Sequence, residues 1–225
     1  MSIVLQRFTE PVSIIGGGDF NPEMLCLSLE IGKDLVAVDG GLNHLTPGKH
    51  FPKWIIGDLD SAQNTQLWVD KGSKLGHFTE QDSTDFEKCL YSIEAPLYLA
   101  NGFLGLRADH TLASCSLLVK RRDKNIILLG KTDLIIHVNQ SLSLELEVGT
   151  RLSLFPLQTV LGLSSVGLKY NISGISFSPY SIIGTSNEVS SPKVEIRVKN
   201  SGMLLILPVY CFSKVLEMYK LSALF

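Results

Sequence analysis

The chain has 225 residues, which is enough for one large domain or two small ones with a hydrophobic core. Hydrophobic residues make up 45% of it and charged residues 19%, as is typical of an ordered globular protein. With 20 Lys+Arg against 22 Asp+Glu the formal charge is −2, and no basic stripe interleaved with aromatic residues is visible. We therefore expect no nucleic-acid partner.

The cysteines and the apolar runs indicate the compartment. Cys26, Cys89, Cys115 and Cys211 lie far apart in apolar stretches and form no CxxC pair, so we expect buried thiols in a reducing environment. The first ten residues lack a basic head followed by a long apolar core. No apolar run approaches the length of about eighteen residues that a membrane span needs. We expect a cytoplasmic protein with no membrane partner.

The first 130 residues predict strands that alternate with helices. Asn21 before Pro22 predicts the start of the first helix, and Gly32 its end. Further helices are predicted at about 42–47, 61–69 and 86–93 and in the stretch that ends near Arg121, with Ser61 as the cap of the second of these. Short apolar strands alternating with helices are typical of a mostly parallel sheet with helices on both faces. The predicted strands are Val12–Ile15, Leu35–Val38, Trp54–Ile56, Lys74–Phe78, Leu97–Ala100 and Ile126–Leu129.

The pattern changes after Gly130. Apolar and polar residues alternate strictly over 141–148 and 194–199, which predicts antiparallel strands with one buried face. We expect a C-terminal antiparallel β-sandwich, with domains at 1–133 and 134–225. The last segment, within the tail 208–225, has helical spacing from Val209 to Leu224 and serves either for packing or as an interface.

Acidic residues follow several predicted strands within a few positions. In an open parallel sheet, ligands bind beyond the carboxyl ends of the strands. Carboxylates gathered there repel each other unless cations neutralise them, and an Asp-x-Asp pair is a common way to hold a hard divalent cation. Simpler alternatives are solvated loops and, for Asp85, a role in capping a helix. The aspartates are Asp39, Asp58, Asp60, Asp82, Asp85 and Asp109.

Glycine turns also follow the predicted strands, and they let backbone N–H groups approach an anion. Combined with the acids, they suggest a metal-bound polyphosphate, although such turns can also be turns alone. The chain lacks GxxxxGK[ST], and Asn21 stands where the dinucleotide fingerprint needs its last glycine. The turns are at 16–18, at Gly40 and Gly41, and at Gly102 and Gly105.

A basic residue near the acids completes this set. Arg107 offers a fork of donors for phosphate, and Asp109 and His110 beside it can bind metal, ribose or a proton. The other histidines have no such neighbours in the sequence. We expect them on the surface or in loops; they are His44, His50, His77 and His137.

The order and spacing of several motifs resemble the thiamin pyrophosphokinase family over nearly the whole chain. The resemblance implies an N-terminal α/β domain, a C-terminal β-sandwich and a homodimer. It also implies Mg²⁺-dependent transfer of pyrophosphate from ATP to the hydroxyl of thiamin, which leaves AMP, with thiamin bound at the dimer interface. The motifs are Ile15–Gly18, Val38–Asn43, Ile56–Ser61, Asp82–Asp85, Arg107–Ala113 and Gly184–Glu188.

The same resemblance assigns roles to residues. The acids expected to bind Mg²⁺ are Asp58, Asp60 and Asp85, and these join Arg107 and Asp109 as the expected catalytic residues. The nucleotide is expected to contact Gly17, Gly18, Asp39, Gly40, Gly41, Ser61, Thr84, Gly102, Gly105 and His110. Thiamin is expected to contact Gln81, Asp82, Ser186 and Asn187.

The chain also departs from the family pattern. Leu106 stands where a glycine is usual before the arginine, Phe103 and Leu104 replace smaller residues, and Ser114 replaces an asparagine. These changes concern the loop expected at the nucleotide. The altered glycine loop leaves open a non-catalytic nucleotide or thiamin sensor. A second rival is another metal-dependent nucleotide transferase, in which Asp58 and Asp60 form a generic Asp-x-Asp pair.

Overall fold

The computed structural model describes residues 4–219, and the chain divides into two compact units with a mixed α/β fold. Unit 1 contains the residues up to Leu117 together with Asp123–Lys131. Unit 2 contains Leu118–Arg122 and the residues from Thr132 onward. Within residues 4–219, no helix has both the length and the hydropathy needed to cross a membrane.

Strands and helices alternate through the first part of the chain. The strands are β1 (Gln6–Arg7), β2 (Val12–Ile15), β3 (Asp34–Val38), β4 (Pro52–Gly57), β5 (Lys74–His77), β6 (Ile93–Glu94), β7 (Tyr98–Asn101) and β8 (Ile126–Leu129). The helices are α1 (Pro22–Ile31), α2 (Thr65–Val69), α3 (Asp85–Ser92) and α4 (Ala108–Lys120), with a 3₁₀ helix at Asp39–His44.

Six strands of unit 1 pair in parallel, in the order β8-β7-β2-β3-β4-β5, as far as the described residues show. The side chains of β2, β3, β4, β7 and β8 are mostly buried because these strands are short apolar runs; Ile15, Ala37 and Ile55 are inaccessible to solvent. The edge strand β5 is largely exposed. Since all six run the same way, their carboxyl ends lie along one edge. The position of the helices relative to the two faces stays a prediction.

Local signals explain where the first helix begins and ends. The Asn21 side chain accepts hydrogen bonds from the backbone N–H groups of Glu23 and Met24, at 3.1 and 3.3 Å, and Pro22 opens the helix. The Gly32 N–H donates to the Ser28 carbonyl and ends it. These boundaries match the sequence-based expectation.

Two other helical predictions were wrong in detail. The helix predicted to start after Ser61 begins at Thr65, because Asn64 takes a left-handed conformation with φ of 55° and interrupts the chain direction. The helix predicted from about residue 42 is instead the 3₁₀ turn Asp39–His44, which starts directly at the end of β3. Both differences place polar side chains next to strand ends.

Unit 2 is antiparallel. Its strands are β9 (Asp133–Val138), β10 (Ser141–Glu145), β11 (Arg151–Pro156), β12 (Val160–Val166), β13 (Ser176–Phe177), β14 (Gly184–Glu188), β15 (Lys193–Val198) and β16 (Met203–Pro208). One group pairs in the order β14-β11-β16-β9 and the other in the order β10-β15-β12-β13. On β15 the buried side chains of Val194, Ile196 and Val198 alternate with more exposed neighbours.

The C-terminal segment is shorter than predicted where the structure describes it. A 3₁₀ turn, Val209–Cys211, leads into α5 (Phe212–Met218), which buries Phe212 and Val215. Helix α5 packs against β10 within unit 2. The part of the predicted helix from 220 to 224 lies outside the described residues.

The cysteine and histidine expectations need two corrections. Cys26 is exposed, because α1 turns Met24, Leu25 and Ser28 inward and leaves the cysteine on its outer side. His137 is half-buried in β9 rather than on the surface. Its Nε2 accepts hydrogen bonds from the Ser201 hydroxyl, at 2.9 Å, and from the Gly202 N–H, at 3.3 Å. All four cysteines are free, and Cys89, Cys115 and Cys211 are buried as expected.

Candidate active site

Three aspartates meet at the carboxyl ends of β3 and β4. Asp39 follows the last residue of β3, and Asp58 and Asp60 follow the last residue of β4, its immediate neighbour in the sheet. One carboxylate oxygen from each lies within 4.8 Å of the other two. Oxygen ligands at this spacing suit a hard divalent cation such as Mg²⁺. The donor set therefore fits the metal that the sequence predicted.

Gly57 makes this convergence possible. Its φ of +151° is rarely adopted by residues with a side chain, and a Cβ there would lie 2.9 Å from the Asp39 Cβ and 3.2 Å from Asp85 Oδ1. Asp39 and Leu59 also have positive φ, at 42° and 65°. Unfavourable backbone conformations of this kind often gather at functional sites, where the surrounding structure maintains them.

Asp85, the first residue of α3, contacts both Asp58 and Lys88. Its Oδ1 accepts a hydrogen bond from the Asp58 backbone N–H at 3.1 Å. The same oxygen lies 3.1 Å from Lys88 Nζ. Thr84 caps the helix, since its side chain accepts the Glu87 N–H. The capping role considered for Asp85 therefore belongs to its neighbour.

Lys88 is a functional candidate that the sequence analysis missed. Its side chain is almost fully buried, and its Nζ lies 3.8 Å from Asp58 Oδ2 as well as near Asp85. A buried ammonium is costly unless it is paired. The available signal was its position three residues after Asp85, where side chains on a helix meet. The sequence alone gave no sign that the pair turns inward.

The pKa of Asp39 reflects its burial and the negative charges of the neighbouring carboxylates. Burial raises it above its ordinary value, and the negative charges of Asp85 and Asp60 raise it further. Hydrogen bonds from the backbone N–H groups of Gly40 and Ser61 act in the opposite direction. A bound cation would reduce the electrostatic repulsion between these carboxylates.

The glycine turns after β2 and β7 are joined by backbone hydrogen bonds. The Gly18 N–H donates to the Gly102 carbonyl at 2.6 Å, and the Asp19 N–H donates to the Leu104 carbonyl at 2.8 Å. A Cβ on Gly102 would lie inside the contact distance of the Gly16 carbonyl. Glycine is therefore required for two turns to approach this closely.

A cleft of about 330 Å³ opens between these turns and the acidic edge, within unit 1. Several predicted residues are brought together in its lining. Other residues predicted in unit 1 are not among the lining residues: Gly41, Asp58, Asp60, Gln81, Asp82 and Asp109. Gln81 lies close by, since its Nε2 is 3.4 Å from Asp58 Oδ2. The predicted residues in the lining are Gly17, Gly18, Asp39, Gly40, Ser61, Thr84, Asp85, Gly102, Gly105, Arg107 and His110.

Arg107 and Asp109 form a pair at the mouth of this cleft. The Nη2–Oδ2 distance is 2.6 Å and the Nε–Oδ1 distance is 3.2 Å, and both side chains are well exposed. The Arg107 hydrogen bonds lower the pKa of Asp109 to about 2. Arg107 holds Asp109 in this arrangement, and the catalytic role of Asp109 stays a prediction.

His44 is half-buried next to the glycine turn after β2, whereas a surface or loop position was expected. Its ring stacks on Phe20 with centroids 5.0 Å apart, and its Nε2 lies 3.2 Å from the Gly18 carbonyl oxygen. It lies on the 3₁₀ turn that begins with Asp39. The histidine therefore links that turn to the glycine turn after β2.

Two of the residues that depart from the family pattern, Leu106 and Phe103, lie in the lining of the cleft. Leu106 has φ of +53° and a side chain that is 74% exposed, so a leucine stands where the backbone favours glycine. Phe103 lines the cleft and stacks on Phe86 with centroids 4.0 Å apart. The aromatic pair supplies an apolar wall to an otherwise polar cleft.

Ser186 and Asn187 lie on β14 in unit 2. Ser186 is exposed with φ of +57°, and its N–H donates to the Ser153 hydroxyl at 3.0 Å. Asn187 is only 7% exposed; its Oδ1 accepts the N–H groups of Tyr170 and Glu188, and its Nδ2 donates to the Tyr170 carbonyl. The asparagine amide is therefore already used in holding unit 2 together.

Two family models match the chain, one after the other. The model of the thiamin pyrophosphokinase catalytic domain matches residues 30–129, and the model of the thiamin pyrophosphokinase vitamin B1 binding domain matches residues 133–204. The chain is 33% identical to thiamin pyrophosphokinase 1 of Caenorhabditis elegans over 210 residues, which cover 84% of this chain and 82% of the relative. It is 29% identical to thiamine pyrophosphokinase 2 of Oryza sativa subsp. japonica, over 72% of this chain and 73% of the relative.

Solved structures share the fold. Thiamin pyrophosphokinase from Candida albicans superimposes with a TM-score of 0.77 at 17% identity, over 92% of this chain and 93% of that one. The Bacillus subtilis thiamine pyrophosphokinase gives 0.72 at 22% identity, over 88% of this chain and 98% of that one. Family models, relatives and fold therefore agree, and the chain belongs to the thiamin pyrophosphokinase family of enzymes, which make thiamin diphosphate.

Proposed function

We propose that this enzyme transfers pyrophosphate from ATP to the hydroxyl of thiamin with the help of Mg²⁺, giving thiamin diphosphate and AMP. The observation that carries the proposal is the group of aspartate carboxylates at the edge of a glycine-lined cleft. In this reaction the thiamin hydroxyl oxygen attacks the β-phosphorus of ATP. The bond to the α-phosphate oxygen breaks, AMP leaves, and the hydroxyl proton is released.

Asp39, Asp58 and Asp60 would hold the metal, because their oxygens already converge. The sequence predicted Asp85 rather than Asp39 in this group. Asp85 instead accepts the Asp58 N–H and pairs with Lys88 here, and its role as a ligand stays a prediction. Bound Mg²⁺ would supply positive charge that neutralises the phosphates during transfer.

The chain's own groups would position the nucleotide. The glycines of the turns at 16–18 and 102–105 line the cleft, so a phosphate would lie against their backbone. Arg107 lines the cleft and would bind a phosphate after releasing its ion pair with Asp109. Both residues are solvent-accessible, so the pair can open. Lys88 would orient Asp58 and Asp85 through its ion pairs with them. Catalysis of this kind rests on positioning and electrostatics.

We infer that residues 1–133 act as the nucleotide-binding domain and 134–225 as a β-sandwich that binds thiamin. Ser186, Asn187, Gln81 and Asp82 would contact thiamin. A homodimer would complete the site. The free cysteines are consistent with work in a reducing cytoplasm.

The reaction is tested by mass spectrometry of purified protein incubated with ATP, Mg²⁺ and thiamin. Thiamin diphosphate and AMP should form in equal amounts, and AMP should form only when thiamin is present. Asp58→Asn serves as the matched control, since it removes one charge and keeps the size. Binding of both ligands without turnover would support the sensor, and turnover of another acceptor that thiamin fails to inhibit would support a different transferase.

Asn187 provides a test of the second unit. Asn187→Ala should raise the KM for thiamin more than the KM for ATP. The change in the KM for thiamin should correspond to about 1 to 3 kcal/mol of binding free energy, as expected for a lost polar contact. Because the amide also bonds to Tyr170 and Glu188, the melting temperature should fall as well. Kinetics are therefore measured well below the melting point of the variant. Equal changes in both KM values would leave Asn187 with a structural role alone.

A further inference from the structure

A second cavity lies at the opposite edge of the parallel sheet from the acidic residues. Its volume is about 430 Å³, within the range of small-molecule pockets. Asp34 and Pro52, the first residues of β3 and β4, lie at this edge, whereas Asp39 and Asp58 follow the last residues of the same strands. The cavity is part of unit 1 and shares no lining residue with the cleft.

The charges in this cavity do not balance. Lys33, Lys49 and Lys53 are among its lining residues, and Asp34 is the one carboxylate there. Lys53 Nζ lies 3.2 Å from both Asp34 oxygens, so those two charges cancel. Lys33 and Lys49 are exposed and form no ion pair with any residue in 4–219. Two lysines without an ion-pair partner in 4–219 therefore line the cavity, in a chain whose net charge is −2.

The remaining wall supplies a hydrogen-bond donor and an aromatic surface. His50 Nδ1 accepts the Thr46 N–H at 3.3 Å, which leaves its Nε2 as the donor of the neutral ring. Burial lowers the pKa of His50, and the Lys49 charge lowers it further, so the neutral ring is favoured. Phe51 is 50% exposed and Leu29 lines the same space. A flat ring can be covered by this surface.

We propose that this cavity is a second ligand site, which binds a small phosphate monoester carrying a flat ring. Two ammonium groups match the charge of a phosphate dianion. His50 Nε2 donates a further hydrogen bond to it, and Phe51 covers the ring. The inference stands on these residues and does not depend on the reaction proposed for the cleft.

The experiment is an NMR titration of the isotope-labelled full chain with AMP in metal-free buffer containing a chelator. Backbone amides of residues 33–35, 49–51 and 53 should shift and saturate, separately from any shifts around the cleft. Lys33→Ala/Lys49→Ala should weaken this set of shifts at least about tenfold. Arg197→Ala/Lys199→Ala removes two exposed cations elsewhere and should leave the affinity within about twofold.

Ribose 5-phosphate carries the sugar and phosphate of AMP but lacks its aromatic ring. Comparing the two compounds therefore measures the contribution of the ring to binding. AMP should bind at least about threefold more tightly than ribose 5-phosphate, and Phe51→Ala should abolish the difference. Equal affinities of the two compounds for the wild-type chain would overturn the aromatic part of the proposal. Shifts confined to the cleft, shifts that fail to saturate, or equal weakening in both double variants would overturn the site itself.

Discussion

At the scale of single residues, the site joins acids of different character. Asp39 is half-buried and has a raised pKa, whereas Asp60 is exposed and accepts a hydrogen bond from the Ser61 hydroxyl at 2.8 Å. Exposed residues contribute little to folding, so Asp60 is free to serve binding. Its replacement therefore separates function from stability better than that of its neighbours.

Asp60→Asn keeps the size of the side chain and removes one charge from the proposed metal group. We expect kcat to fall at least about a hundredfold, which is roughly 2.7 kcal/mol of transition-state stabilisation. The dependence on Mg²⁺ should move to higher concentration, and the melting temperature should stay unchanged. Activity is titrated against Mg²⁺ for both proteins. Wild-type turnover with wild-type metal dependence would contradict the metal site.

Lys88 balances the acids from inside the protein. Lys88→Met leaves Asp58 and Asp85 without their cation, so we expect unfolding free energy to fall by about 2 to 4 kcal/mol in metal-free buffer. Mg²⁺ should then stabilise the variant more than the wild type, because it replaces the missing charge. Thermal unfolding with and without Mg²⁺ measures both effects. Identical Mg²⁺-induced shifts in the two proteins would show that Lys88 and the metal do not share these acids.

At the scale of secondary-structure elements, the connection between β15 and β16 is tied to β9 by one side chain. His137 Nε2 must stay unprotonated to accept the Ser201 and Gly202 hydrogen bonds. Burial lowers the pKa of His137 from 6.5 to about 4, and the Arg122 charge contributes. The unfolded chain therefore takes up the proton at higher pH than the folded one. This histidine stabilises the fold above pH 6.5, and the contribution is lost as the pH falls towards 4.

His137→Gln tests this dependence, since an amide oxygen can accept the same hydrogen bonds without titrating. The wild type should lose more stability than the variant between pH 7 and pH 4.5, and the two curves should run parallel above pH 7. Urea unfolding at several pH values gives the comparison. Parallel curves across the entire range would assign the pH response to other groups.

The sequence predicted elements better than it predicted their surroundings. The strands β2, β3, β4 and β8 are apolar runs bounded by glycine or polar residues, so local patterning was enough. The start of α2 could not be predicted in the same way, because the left-handed Asn64 depends on the structure around it. Lys88 and His44 became candidates only after the tertiary structure showed which way they point.

At the scale of the whole molecule, unit 2 exposes apolar and aromatic side chains that do not contribute to its core. In unit 2, Leu163 and Val166 on β12 are 44% and 47% exposed, and Tyr170, whose backbone bonds to Asn187, is 61% exposed. Apolar and aromatic side chains left in solvent often mark an interface. They are consistent with the dimer implied by the family resemblance, in which a second subunit completes the thiamin site.

If the site is shared between subunits, activity per chain should fall on dilution below the dimer dissociation constant, in parallel with a shift to monomer in sedimentation. Leu163→Asp should weaken the dimer and move both transitions to higher protein concentration by at least about tenfold, because a charge is placed within the exposed apolar surface. Leu75→Asp, on β5 of unit 1, is the matched control: this leucine is 43% exposed, and its replacement should leave both transitions in place. Melting curves confirm that each variant is folded. Full activity in a demonstrated monomer would rule out the shared site, and equal effects of the two variants would move the interface away from β12.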